Sequence, residues 1–218
     1  LDIAGNNHPD VIIAATHSLS FSFFPQLLRH NNIARFGAFR LISDTLQACE
    51  RTLLQGQSQF LLCHYHQYMR FNLAPEIFSS LRLGVDRLIP YSKTEQNSTA
   101  PLWKIGIETK IPYLSFSNES GIGRIIANTS AIHQIGKTLE LVFTSDLAAT
   151  LLAMVKAGDG VAWLPEMLAE QDVKSGNIVP ATENTDFWLP IEIRLYRSIA
   201  KMSKTAEALW DIFTEHQQ

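Results

Sequence analysis

The sequence is short of charge, of cysteine and of long apolar runs. Only 18% of its 218 residues are charged, Lys and Arg are scattered, and the net charge is −3. Binding a phosphate backbone takes a concentrated positive face, so this chain by itself is a poor nucleic-acid binder. Its two cysteines, Cys49 and Cys63, are too few for the disulfide framework of a small secreted protein. They read as reduced thiols in a cytoplasmic protein. Cys49 stands at helical spacing with Leu46, Leu53 and Leu54 and packs as a small hydrophobe. No apolar run approaches the roughly 20 residues needed to span a bilayer, so no membrane association is expected. No signal-peptide pattern opens the chain and Leu1 is not an initiator Met, so the N-terminus reads as trimmed.

Motifs for catalysis are missing as well. There is no CxxC, HExxH, GxSxG or P-loop. "CHYH" at 63–66 puts Cys63 and Tyr65 on one face of a strand and His64 and His66 on the other. That pattern neither converges on a metal nor makes a Cys–His pair. No catalytic residue, metal or cofactor is expected.

What is present is an α/β alternation. "DVIIAA" (10–15) is a buried strand, followed by an irregular "SLSFS" loop and a helix expected to start near Phe24, because Pro25 is tolerated only in a first turn. "GAFRLIS" is a strand. "DTLQACERTLLQ" is a helix capped by Ser43 or Asp44 and stopped by Gly56, and "QFLLCHY" is a third strand. This β-α-β-α-β order predicts a parallel sheet. An extended strand over 76–92 is expected to end at Pro90, and the polar "SKTEQNSTAP" (92–101) reads as a linker. The pattern then restarts with "IPYLSFS", "NESGIGRIIANTSAIHQ", "LELVF", "TSDLAATLLAMVKAG" closed by Gly158, "DGVAWLP", a short helix, a crossing strand "IEIRLYRS" and an amphipathic helix carrying Ala206, Leu209, Trp210 and Phe213.

The halves align. Ser43-Asp44 maps onto Ser145-Asp146 and Gly56 onto Gly158, both at an offset of 102, and the same offset carries Ser18 to Ser120. The chain therefore reads as two Rossmann-like lobes with mostly parallel sheets, joined by crossing strands. Residues 1–9 are the end of a linker, 10–90 with about 191–218 form lobe I, and 91–190 form lobe II. In such sheets ligands sit beyond the carboxyl ends of strands, near helix N-termini. That places Thr16, His17, Ser18, Leu19, Ser43, Cys63, His64 and Tyr65 of the first lobe at a ligand site. Ser117, Asn118, Glu119, Ser120, Gly121, Ile122 and Thr144 of the second join them. Asp44 and Asp146 are explained by helix capping alone. The ligand expected is small and polar or anionic. Sulfur that can be oxidised reversibly is carried by Met69, Met154 and Cys63, with Met154 on the apolar face of its helix beside Leu147 and Leu151.

Four stretches, "DVIIAATHSLSFSFFPQLL", "SDTLQACERTLLQGQSQFLLC", "SDLAATLLAMVKAGDGVAWLP" and "EALWDIF", resemble the effector-binding domain of LysR-type transcriptional regulators, and most of all its hypochlorite-responsive members in enteric bacteria. The resemblance covers nearly all of residues 10–213. It implies a periplasmic-binding-protein-like fold and a small-molecule or oxidant effector, hypochlorite among them, in the cleft between lobes. It also implies a homodimer or homotetramer, and DNA contact only through an N-terminal winged helix-turn-helix domain that this sequence does not contain. The rival expectation is a periplasmic solute-binding protein, which shares the two-lobe fold; free cysteines and modest length weigh against it.

Overall fold

The computed structural model describes residues 9–30, 36–107 and 110–215. Residues 1–8, read above as the end of a linker, lie outside the described residues. The chain forms two compact units. One comprises the chain up to Cys63, Phe71–Leu83 and the chain from Arg194 onward; the other comprises His64–Arg70 and Gly84–Ile193.

The first unit is built on strand β1 (Val11–Thr16), whose β-branched residues suit a strand buried on both faces. It pairs in parallel with β2 (Phe39–Asp44), from Val11 opposite Phe39 to Thr16 opposite Asp44, and with β3 (Phe60–Tyr65) on its other side. Helix α3 (Leu46–Leu54) packs on β1 and buries Leu46, Cys49 and Leu53. The chain reaches β1 and β2 through α1 (His17–Ser22) and α2 (Phe24–His30). The last helix, α8 (Lys204–Glu215), turns Ala206, Leu209 and Phe213 inward, and Trp210 stacks on Phe60 with ring centroids 6.2 Å apart. Two long strands belong to both units: β4 (Phe78–Lys93) leaves the first and β9 (Leu189–Ser198) returns to it.

Three local expectations differ here. "SLSFS" is helical rather than irregular: α1 occupies it and α2 follows after Phe23, with Pro25 in the first turn of α2. Neither Ser43 nor Asp44 caps α3. The N-cap is Thr45, whose hydroxyl accepts from the Ala48 amide at 3.3 Å, while β2 runs on through Asp44. The strand expected to end at Pro90 continues to Lys93. Proline lacks the donor, but its carbonyl still accepts from Ala181 N at 2.7 Å.

In the second unit β5 (Ile111–Phe116) and β6 (Leu139–Ser145) pair in parallel from Ile111–Leu139 to Phe116–Ser145, with an irregularity after Tyr113. Between them run two short helices, α4 (Gly121–Ala127) and α5 (Ser130–Ile135). Helix α6 (Ala148–Ala157) closes on Gly158, whose φ of 97° lets its N–H reach the Met154 and Val155 carbonyls. Then come β7 (Ala162–Pro165), α7 (Glu166–Lys174) and β8 (Ile178–Pro180); β7 and β8 pair antiparallel to β4, so the sheet is mixed. Buried Trp163 gives its indole N–H to Phe187 O at 2.9 Å and stands edge-on to Tyr113. The stretch read as a linker is a turn within this unit: Glu95 N bonds Ala100 O, Thr94 bridges Pro101, and Asn97 takes a φ of 59°. Met154 is only half-buried and Leu147 is exposed, so the inward stripe of α6 is Ala148, Leu151 and Val155 instead.

The repeat appears in the strand registers. In both units the paired strands begin 28 residues apart, Val11 with Phe39 and Ile111 with Leu139. The strands themselves match at an offset of 100, while Gly56 and Gly158 match at 102. No helix among the described residues is long and apolar enough to cross a membrane.

Candidate functional site

The end of β1 carries the first cluster of polar groups. Thr16 is the last residue of the strand and the N-cap position of α1, but its side chain caps nothing. Its buried Oγ1 has no hydrogen-bond partner. One residue on, His17 Nδ1 lies 3.1 Å from Ser43 Oγ, and Ser43 Oγ lies 2.7 Å from Ser20 Oγ. Ser20 gives its own proton to His17 O at 2.8 Å. With that proton committed, Ser43 is the donor to Ser20, and His17 donates to Ser43 from Nδ1. This hydrogen-bonded chain is tied together by the β1–β2 register, which sets Ser43 opposite Ala15. Ser18 is buried beside it and Leu19 belongs to the core.

Of the residues after β3, Cys63 and His64 are buried and Tyr65 is half-buried. His64 Nε2 lies 3.7 Å from Asp86 Oδ2 in the second unit, with side-chain exposures of 3% and 1%. The other Asp86 oxygen accepts from the amides of Arg87 and Met167 at 2.8 and 3.2 Å, anchoring β4 to the start of α7. Nearby, Arg87 makes a two-pronged pair with Glu166, at 2.7 and 2.5 Å, under a cavity of about 520 Å³ lined also by Tyr65, His66 and Ile191. Burial lowers the His66 pKa. Tyr91 is pushed well above the usual phenol range, by burial first and then by the Glu166 and Asp86 carboxylates. Sequence reasoning missed Asp86, Arg87 and Glu166. The available signal was "VDR", a charged pair set directly before the apolar "LIP".

The second cluster follows β5. Ser117 donates its hydroxyl to Asp146 and accepts from Glu119 N at 3.2 Å. Asp146 therefore does not cap α6. The N-cap position there is Leu147, whose amide bonds Ser145 Oγ at 3.1 Å. Ser120 is the N-cap of α4, accepting from Gly123 N at 3.5 Å. Gly121 and Ile122 are buried; Asn118, Glu119 and Thr144 are exposed. A Cβ on Gly123 would lie 2.0 Å from Ser117 O, so the tight approach of helix to loop requires glycine. Among the described residues no group of three His, Cys, Asp or Glu side chains is placed to hold a metal.

Two clusters of hydroxyls and amides thus stand at the carboxyl ends of parallel strands, each in one copy of a repeated unit. The family model "LysR substrate binding domain" matches residues 4–218. The chain belongs to the LysR substrate-binding domains. It is thus the effector-binding domain of a transcriptional regulator and not an enzyme, which decides against the solute-binding alternative. It is 28% identical over 198 residues to the HTH domain-truncated transcriptional regulator QseD of Escherichia coli O157:H7, covering 91% of this chain and 78% of that protein. It is also 28% identical to the HTH-type transcriptional regulator YjiE of Escherichia coli K12, of whose length it spans 62%. The regulatory domain of HypT from Salmonella typhimurium, in its bromide-bound form, superposes with a TM-score of 0.80 at 25% identity over 98% of each chain.

Proposed function

We propose that this LysR domain senses a small anionic or oxidant effector through the Thr16–Ser20 segment with Ser43 in the first unit and through the Ser117–Ile122 loop in the second. Effector binding then changes how protomers of a cytoplasmic homodimer or homotetramer pack, and DNA is contacted through an N-terminal domain of the whole regulator. The observation that carries this reading is the buried, unpartnered Thr16 Oγ1 beside the His17–Ser43–Ser20 chain. An idle buried hydroxyl costs about 1–3 kcal/mol, and a bound acceptor relieves that cost. The donors are hydroxyls, an imidazole and amides, with no guanidinium among the hydrogen bonds of the first cluster. They suit a compact anion of low charge better than a phosphate or dicarboxylate. The bromide-bound HypT domain is consistent with that class.

In the oxidant case, hypochlorous acid passes its oxygen to a thioether and leaves as chloride and a proton, giving a sulfoxide. Ile122 is buried where a sulfur would serve, and residues 117–122 contain none. Of the sulfur candidates Met154, Met69 and Cys63, half-buried Met154 is the more accessible, the Met69 thioether and the Cys63 thiol being buried.

The test is the melting temperature of this chain against bromide, chloride, nitrate and sulfate, and against stoichiometric hypochlorite followed by mass spectrometry. A native-state ligand at about 100 times its dissociation constant adds roughly 2.7 kcal/mol. A reversible rise with a monovalent anion, lost in Ser43→Ala, is expected. A response only to hypochlorite, with one added oxygen on Met154, identifies the oxidant case. No response to any of these overturns the proposal.

A further inference from the structure

A smaller cavity, of about 260 Å³, lies within the second unit and is walled by residues of β5, β6, α4 and α5. The ladder sets Tyr113 opposite Leu141, and an irregularity follows at once, with Leu114 opposite Phe143 rather than Val142. Such bulges re-aim side chains and occur beside functional sites. Here Leu141 is left 62% exposed, so one apolar wall is open to a ligand, while Phe116, Ile126 and Ile132 form the buried wall. Tyr113 is fixed edge-on to Trp163, with ring centroids 5.8 Å apart. These contacts frame the cavity before any ligand arrives.

No Asp, Glu, Lys or Arg lines this cavity, so it holds no fixed charge to meet an ion. Its protons are already committed to the protein. His133 gives its Nε2–H to Ala127 O at 2.8 Å. In the neutral imidazole Nδ1 is then an acceptor, and on this exposed residue it has no partner among the described residues. Ser115 gives its hydroxyl proton to Phe116 O at 3.1 Å, which leaves its oxygen as the acceptor in the hydrogen bond with Tyr113. Exposed Asn118 is the one lining residue shared with the Ser117–Ile122 loop. Apolar walls with an idle acceptor ask for a neutral ring that carries a donor.

We propose that this cavity binds a small neutral aromatic molecule with one hydrogen-bond donor, of the phenol class. Its ring lies against Ile126, Ile132 and Leu141, and its hydroxyl donates to His133 Nδ1. An apolar cavity of about 150 Å³ accepts a benzene, so this larger one takes a substituted ring. The site goes beyond the proposed sensing of an anion or oxidant. It gives the domain a second small-molecule input of different chemistry.

The test titrates the whole chain, labelled at its isoleucine methyls, with phenol and with toluene, which has the same shape and no donor. Ile126→Val and Ile132→Val assign the two wall signals. Saturable shifts of both are expected at millimolar phenol. Bromide at the same concentration should leave both in place, which keeps this outcome separate from that of the effector loops. A buried donor left without its acceptor costs a factor of about five or more. The affinity for phenol relative to toluene should therefore fall at least about fivefold in His133→Leu, with the remaining isoleucine signals reporting an intact fold. No saturable shift at Ile126 and Ile132, an equal shift with bromide, or an unchanged phenol-to-toluene ratio in His133→Leu overturns the proposal.

Discussion

His64 Nε2 faces Asp86 Oδ2 across 3.7 Å, with both side chains buried and neither atom hydrogen-bonded. The contact holds the end of β3 to β4, and through the other Asp86 oxygen to the first turn of α7. Removing one partner of a buried pair costs about 3–5 kcal/mol. Asp86→Ala is expected to fall in that range by urea denaturation, since it also strands two amides. In a double-mutant cycle with His64→Ala, a coupling of at least about 0.5 kcal/mol is expected; strict additivity would show that the two side chains do not interact.

The end of the chain carries an acid-sensitive anchor. Arg197 grips both Glu207 oxygens at 2.6 and 2.9 Å and lies 5.3 Å from the Trp210 ring centroid. Those bonds, with an amide from Met202, lower the Glu207 pKa from 4.5 to about 2. A lowered carboxylate pKa gives stability that is fully present above the unfolded value and lost as pH falls through the folded one. The melting temperature of Glu207→Gln should therefore lie below wild type at pH 7, and the gap should close between about pH 4.5 and pH 2. A gap that stays constant over that range would rule out the ion pair as its source.

Cys49 and Cys63 are both completely buried. Burial first, then the Asp44 carboxylate, pushes the Cys49 thiol up to about 12. Thiolate is the reactive form, so a chromogenic disulfide at pH 8 should titrate neither cysteine in the native protein and both in urea. Rapid native labelling of Cys63 would restore it as a redox-sensing candidate.

Thr45 caps α3 although Ser43 and Asp44 precede it with equally suitable side chains. Thr45→Ala should cost about 1 kcal/mol in denaturant unfolding. Ser43→Ala should cost little, because Ser43 is exposed and bonds His17 and Ser20 instead. The reverse order would mean that the helix begins a turn earlier in solution.

Those two residues also show what a sequence discloses. Glycines at 56 and 158 mark helix ends because positive φ is a local demand, visible in residue type. The strand sequences disclose burial, because β-branched runs are a local property too. Which of three adjacent polar residues caps a helix is decided by how far β2 stays paired with β1, a long-range fact. For the same reason the Ser43–His17 contact was legible only as two names on one edge of a sheet. The His64–Asp86 contact spans two elements that no local pattern connects.

Gly123 confines how this loop can change. With Ser117 O occupying the place of a side chain at 123, and with Ser120, Gly121 and Ile122 buried, only Asn118 and Glu119 are open to replacement without rebuilding the helix start. Retuning of the proposed effector loop is therefore channelled through two adjacent positions. A saturation library at 118 and 119 covers most of the accessible specificities, while diversity spread over the rest of the loop yields mainly unfolded chains.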